Sequence, residues 1–334
     1  KKFKKLNVHV IGDTIVDSYT RTAFIGGQTK TPTFSVLKQS VDNYLGGAAI
    51  VALHLKEAGA NVTFTSVLGN DNLGKFVIKK LKQKKIKIKI ITDFSRPTVN
   101  KNTIQTGAYK LLKLDTLDNT PISDEILNKI CKNLKNTKSD IVILSDFRHG
   151  IFNKKSIPNI IKSIPKNTFK VADSQVASRW GNILQFKNFD LITPNEREAR
   201  FSLGDQDSTI GSLSEALEKN SKSKNLILKL GDKGIFCKYN RKNKKKIIPG
   251  YFSLDSYAGQ VVDAVGAGDA LLAYSSLGLK ITNSLVFGSI LGSLAAACEC
   301  EIDGNVPVGL DKIADKIEKI QSQINYKDTW WSKL

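Results

Sequence analysis

Six short runs rich in Val and Ile recur along the chain, at residues 7–11, 62–68, 141–144, 169–172, 189–192 and 226–230. Apolar runs of this length suit strands buried on both faces. Helical patterns fall between them, at 48–57, 123–134, 155–164, 212–218 and 269–277. The alternation predicts an α/β fold, with a mostly parallel central sheet and helices on both faces. Two segments break the rhythm: 18–38 and 98–115 alternate polar and apolar residues like exposed antiparallel strands. They predict a small β lid, inserted from two places into a single domain spanning 1–334.

Composition narrows the class. At 41% hydrophobic residues over 334 positions, with only 24 Gly and 8 Pro, the chain has the material for a large core. Disorder and a collagen-like repeat are excluded. The apolar stretch 285–297 is interrupted by Gly and Ser and falls short of the roughly 20 residues of a membrane span. No membrane association is expected. The basic start, Lys1 to Lys5, leads into a strand rather than an apolar signal core. Cys131, Cys237, Cys298 and Cys300 show no Cys-x-x-Cys spacing, which predicts reduced thiols and a cytoplasmic location. With three histidines, a histidine-rich metal centre is not expected. The formal charge is +20. Many lysines sit in solvated runs such as 79–89 and 242–246, with no aromatics interleaved, so nucleic acid is not an expected partner.

The strongest chemical signal is 263–269, reading Asp-Ala-Val-Gly-Ala-Gly-Asp directly before a helical segment. Gly266 and Gly268 allow backbone amides to approach an anion, and a helix N-terminus adds unpaired N–H donors. Asp269 is awkward beside an anion unless it accepts a proton from a hydroxyl that attacks phosphorus. Gly46 and Gly47 precede another helical pattern. Asp13 and Asp17 stand at the end of the first strand, where open α/β sheets form their ligand crevice.

These residues resemble the ribokinase-like (PfkB) carbohydrate kinases over nearly the whole chain. Gly46, Gly47, Ala52, Gly59 and Gly69 fit the first family signature, Asn195 and Glu198 resemble its Asn-x-x-Glu motif, and 230–234 resembles its nucleotide-loop hairpin. The subgroup most resembled is the D-glycero-D-manno-heptose 7-phosphate kinases, on residues 12–17, 46–52, 110–115, 145–150 and 193–195. Ile50 stands where the signature has Asn, Ala264 where it has Thr, Ser, Pro or Val, and Tyr274 where it has a small residue.

The resemblance implies a ribokinase-like fold and an ATP-dependent sugar kinase that converts a heptose 7-phosphate to the 1,7-bisphosphate. Asp269 would be the general base, with Gly266, Ala267 and Gly268 as the anion hole. Nucleotide contacts would come from Asn195, Glu198, Lys229, Gly231, Gly234 and Asp263, with Mg²⁺ held through water by Asn195 and Glu198. A monovalent cation such as K⁺ is a further implied cofactor. For the acceptor the candidates are Asp13, Asp17, Gly46, Gly47, Ile50, Lys113 and Asp146, with Arg21, Lys30 and Lys110 as further lid cations and Asp173 beside Asp146. The same resemblance implies a homodimer through the lid. Some heptose kinases are fused to a nucleotidyltransferase domain, so this chain reads as monofunctional or as a fragment. Two alternatives stay open: a kinase of another sugar or sugar phosphate, and a catalytically silent module that binds nucleotide or polyanion.

Overall fold

The computed structural model describes residues 2–27, 33–175, 182–243 and 246–331, with the side chains of all of these except 241–249 and 324–331. In chain order the elements begin with β1 (Asn7–Gly12), β2 (Thr14–Gly27), β3 (Phe34–Gly47), α1 (Ala48–Glu57), β4 (Asn61–Gly69), α2 (Asn72–Gln83), β5 (Lys87–Asp93), β6 (Asn100–Thr106) and β7 (Tyr109–Thr116). They continue with α3 (Asp124–Lys135), β8 (Ile141–Asp146), α4 (Ser156–Ser163), β9 (Phe169–Ser174), β10 (Leu191–Ile192), α5 (Glu196–Leu203), α6 (Ile210–Ser221) and β11 (Asn225–Lys229). The last are β12 (Ile235–Asn243), β13 (Lys246–Leu254), α7 (Ala267–Thr282), α8 (Leu285–Cys300) and α9 (Leu310–Trp331).

The main sheet has nine strands in the order β13-β12-β11-β10-β9-β8-β1-β4-β5. All neighbours run parallel except β11, β12 and β13, which pair antiparallel. Strand β8 shows why its sequence is apolar throughout: Ile141 and Ile143 join one core cluster, and Val142 and Leu144 join another on the opposite face. Helices α1, α7 and α8 cover the first face, while α3, α4 and α6 cover the second. The expected two-sided α/β architecture is therefore present.

Helix α1 has eight of its ten residues buried, which suits a helix apolar all round. The glycines that interrupt 285–297 have a packing reason, since a Cβ at Gly288 would stand 3.0 Å from the Ser275 carbonyl oxygen of α7. Removing those side chains lets α7 and α8 approach closely. Among the described residues no helix is long and apolar enough to cross a membrane.

The second sheet has four strands in the order β3-β2-β6-β7. It is larger than the segments 18–38 and 98–115 suggest, because β2 starts at Thr14 and β3 continues to Gly47. Only Asp13 separates β1 from β2, and β3 passes into α1 with no intervening residue. The Ala48 amide closes this root by donating to the Asp13 carbonyl at 2.9 Å. The lysine run 79–89 divides between α2, the following turn and β5, neither element being evident from the sequence, and most of those lysines are exposed.

Candidate active site

A cleft of about 620 Å³ opens where the second sheet faces the loop before α7 and the β11–β12 turn. Its volume is that of an ordinary small-ligand site. Gly266, Ala267 and Gly268 form part of its wall. Gly266 caps α7 at φ +91°, and a side chain there would collide with Asn305 Oδ1. Only glycine combines that backbone conformation with that approach. The first turn of α7 thus presents its N-terminus to the cleft, a position favourable to anions.

Asp269 follows in that first turn, 6% exposed, and its Oδ1 has no hydrogen-bond partner. Burial, then the charge of Asp173, pushes its carboxyl well above the usual range, and Lys229 opposes the shift. Lys229 lines the cleft and forms a 3.0 Å ion pair with Asp173 Oδ1, which also accepts a bond from Thr193 Oγ1. Asn195 lines the cleft too and caps α5. Its side chain accepts from the Glu198 amide at 2.8 Å, while Glu198 accepts from the Asn195 amide and Nδ2 at 2.7 Å each. This capping box explains the Asn-x-x-Glu spacing locally. Glu198 is 3% exposed, and burial raises its carboxyl. Gly231 and Gly234, both at positive φ, make the tight turn after β11 and line the same cleft.

On the opposite side, Asp17 lines the cleft from β2 rather than from the end of the first strand. A side chain at Gly46 would collide with its carboxylate, so glycine makes room for it. Gly47 contributes to the wall at φ +59°. Asn305 Nδ2 donates to Asp17 Oδ2 at 3.3 Å, and burial raises the Asp17 carboxyl. Two lysines join it, Lys113 from β7 and Lys101 from β6. Lys101 pairs in register with Asp17 and with Asp115, and Thr103 pairs with Lys113, which puts Asp17, Lys101 and Lys113 on one face. Burial, then the charge of Lys113, lowers the Lys101 ammonium.

Several candidates are placed elsewhere. Asp13 is 3% exposed, and its carboxylate accepts backbone bonds from Phe147, His149 and Ile151 at 3.0 to 3.3 Å. It braces the loop after β8 instead of facing the cleft. Asp146 is likewise internal, ion-paired with Arg148 at 3.0 Å and accepting from Ser174 Oγ at 2.8 Å. Ile50 is fully buried in the core packing of α1 and offers nothing to a ligand. Asp263 lies beneath the loop, where it accepts from Tyr19 Oη at 3.0 Å and from the Val265 amide at 3.3 Å. Arg21 is engaged by Asp42 and Asp303. Lys110 is exposed on β7 outside the cleft wall, and Lys30 lies outside the described residues. Tyr274 is buried, donating to the Val308 carbonyl at 2.6 Å.

Sequence reasoning missed Lys101, Tyr19 and Asn305. Strand parity could have found Lys101, since it shares the face of Lys113 once the β6–β7 register is known. Nothing local marks Tyr19 or Asn305, whose partners lie 244 and 288 residues away.

A family model for the pfkB family carbohydrate kinases matches residues 5–305. The bifunctional protein HldE of Sulfurimonas denitrificans is 27% identical over 320 residues, covering 92% of this chain and 63% of that protein. The bifunctional protein HldE of Campylobacter fetus is 29% identical over 300 residues, covering 87% of this chain and 62% of that protein. The chain thus spans less than two thirds of the length of these relatives. In fold it resembles phosphofructokinase-2 from Escherichia coli solved in complex with potassium, with a TM-score of 0.76 at 15% identity over 95% of this chain and 99% of that one. Ribokinase from Thermotoga maritima gives a TM-score of 0.70 at 20% identity over 94% and 99%. With ribokinase-like architecture and a family match over 5–305, the chain belongs to the pfkB family of carbohydrate kinases.

Proposed function

We propose that the chain is an ATP-dependent kinase that phosphorylates the anomeric hydroxyl of a heptose 7-phosphate, giving the 1,7-bisphosphate. One observation carries the phosphorylated acceptor: Asp17, Lys101 and Lys113 share one face of the second sheet across the cleft from Gly266, Ala267 and Gly268. A carboxylate suits sugar hydroxyls, and two lysines suit an existing phosphate. The HldE relatives add weight to heptose as the sugar.

In this reading the triphosphate end of ATP lies at the amides that open α7. The acceptor oxygen attacks the γ-phosphorus as the bond to the β–γ bridging oxygen breaks, and its proton passes to Asp269. The second sheet acts as the lid that excludes water. The residues fit a hydrated Mg²⁺, because each Glu198 oxygen keeps a second lone pair beyond its bond to Asn195 and no inner cage is needed. Bound magnesium supplies charge neutralisation on the phosphates, with Asn195 and Glu198 holding it through water. A monovalent cation also fits, since Asn305 Oδ1 and Glu299 Oε2 are buried without partners, and Asn305 Oδ1 and Glu299 Oε1 face Gly266. Exposed Phe24, Leu37, Leu112 and Leu114 on the second sheet favour a homodimer through it. A reaction that draws on ATP and a sugar phosphate suits a cytoplasmic location.

The test is ATP consumption over heptose phosphates, hexose phosphates, free sugars and ribosides, with Asp269→Asn as the blank. Turnover confined to heptose 7-phosphate is the expected result. A second reading, a kinase of another sugar phosphate, rests on Lys101 and Lys113, which suit a phosphate without selecting the sugar that carries it. It predicts turnover on a hexose phosphate instead.

A further inference from the structure

We propose that Lys229 is a catalytic residue whose ammonium group contacts the phosphoryl group in transfer and offsets the charge spreading over its oxygens. This rests on the kinase reading above and adds to it a cation supplied by the protein itself.

The backbone fixes where Lys229 stands. It closes β11, its amide donates to the Pro194 carbonyl at 2.9 Å, and it forms an isolated parallel bridge with Asn195. It is thereby held between the cap of α5 and the turn at Gly231. The side chain then reaches toward α7, so that Nζ is 3.4 Å from where a Cβ on Gly268 would stand. Lysines 101 and 113 also line the cleft, but both belong to the second sheet. Among the described residues lining the cleft, Lys229 is the one cation at the anion-hole end.

The surroundings keep that cation charged and leave it donors to spend. Burial works against the charge, yet Asp173 and Glu198 outweigh it and raise the ammonium above its ordinary value. An ammonium has three donors, and the bond to Asp173 uses one. The other two can serve phosphoryl oxygens. Lys229 also lowers the raised carboxyl of Asp269, favouring the ionised form that a proton acceptor needs. During transfer the acceptor oxygen bonds to phosphorus, the bridging oxygen leaves with the electron pair of its broken bond as part of ADP, and the hydroxyl proton goes to Asp269. Lys229 keeps its protons throughout. Fixed charge at a developing anion acts without reorganisation, and losing such a group typically costs ~100- to 1000-fold in turnover.

A merely structural Lys229 would do no more than neutralise Asp173, and the test separates the two roles. Wild type, Lys229→Met, Lys229→Arg and the pair Lys229→Met with Asp173→Asn are compared by thermal melting, by kcat and KM on whichever acceptor the wild type phosphorylates, and by affinity for MgADP and for the magnesium complex of the β,γ-imido analogue of ATP. The double variant removes the carboxylate that pairs with Lys229 together with the cation, so it guards against a variant that fails to fold. The expected result is a double variant that melts close to wild type yet loses ~100-fold or more in kcat, with Lys229→Arg retaining more turnover than Lys229→Met. Affinity for the imido triphosphate should fall ~10-fold more than affinity for the diphosphate. A double variant within about 3-fold of wild-type kcat, or equal losses for the two nucleotides, would overturn the proposal. If the wild type turns over no acceptor, the kinase reading falls instead, and the triphosphate-against-diphosphate comparison still decides the phosphoryl contact.

Discussion

Tyr19 donates its hydroxyl to Asp263 Oδ2 at 3.0 Å, joining β2 of the second sheet to the loop that ends at Gly266. The ring of Tyr44 packs edge-on against Tyr19, with centroids 5.7 Å apart. Asn305 makes the parallel connection, with its amide on Asp17 and its oxygen beside Gly266. Two buried side chains therefore tie the Asp17 side of the cleft to the phosphoryl side. Binding free energies at two joined sites are reciprocal, so the acceptor should strengthen nucleotide binding and the nucleotide should strengthen acceptor binding. Tyr19→Phe is predicted to reduce that mutual gain, with kcat/KM falling ~10-fold through loss of a bond to a charged partner. Titration of nucleotide with and without acceptor checks it, and an unaltered gain would show that the bond transmits nothing.

Asp269→Asn keeps the shape of the first turn of α7 and removes the proton acceptor. Turnover should drop ~100-fold or more, while nucleotide affinity stays near wild type. Near-normal turnover would remove Asp269 from its role. The wild-type rate should fall on acidification through a carboxyl raised by burial and Asp173, so its acid limb should lie above the ordinary aspartate range.

Lys101 and Lys113 should act on the acceptor's phosphate. Replacing either by Met is predicted to raise KM for a sugar phosphate ~10-fold with a smaller change in kcat and none in KM for ATP. The Lys101 ammonium, lowered by burial and by Lys113, should lose its charge at a lower pH than an ordinary lysine. Equal losses on phosphorylated and unphosphorylated acceptors would contradict a phosphate contact.

Buried ionisable groups set a pH window for stability. Burial lifts Glu299 to about 8 from an ordinary 4.5, so the folded state binds its proton more tightly than the unfolded chain does. That contribution is complete below pH 4.5 and is lost as pH rises through about 8. His9 and His54 act oppositely, since burial lowers both from 6.5 to about 3. Their contribution is present above 6.5 and is lost as pH falls toward 3. Melting temperature should peak on the mildly acidic side of neutrality. Glu299→Gln should flatten the alkaline decline and leave the acid side unchanged when tetramethylammonium is the only monovalent cation present; an unchanged alkaline slope would exclude Glu299 as its source.

Ile50 shows what position in a sequence pattern conceals. Restoring the family's Asn there looks like repairing an acceptor site, yet Ile50 is fully buried within the core of α1. Ile50→Asn is predicted to cost roughly 3 kcal/mol of stability with no new acceptor activity, as a denaturation series and the acceptor panel would reveal. Chain reading succeeds where the determinant is local. The apolar runs of β1, β8 and β11 and the glycines at the start of α7 each carry their reason within a few residues. It fails where only folding decides which way a carboxylate points: Asp13 and Asp17 stand four positions apart, but one is consumed by three backbone amides and the other opens to the cleft. Lys101, Tyr19 and Asn305 take their meaning from distant partners and leave no short-range pattern.

Four chain connections root the second sheet in the core: Asp13 links β1 to β2, Gly47 runs straight into α1, residues 94–99 lead from β5 to β6, and residues 117–123 lead from β7 to α3. Such a sheet is a cantilever. Its strands β2 and β3 each run 14 residues from that root, a reach of up to about 45 Å at the usual rise per residue. A tilt of about 5° at the root would carry the far end roughly 4 Å over that reach. The Asp17 and Tyr19 contacts lie near the fulcrum, and exposed Phe24, Ile25 and Phe34 lie toward the free end. Over that reach a sub-ångström adjustment made by a ligand beside Asp17 would be magnified at the apolar tip.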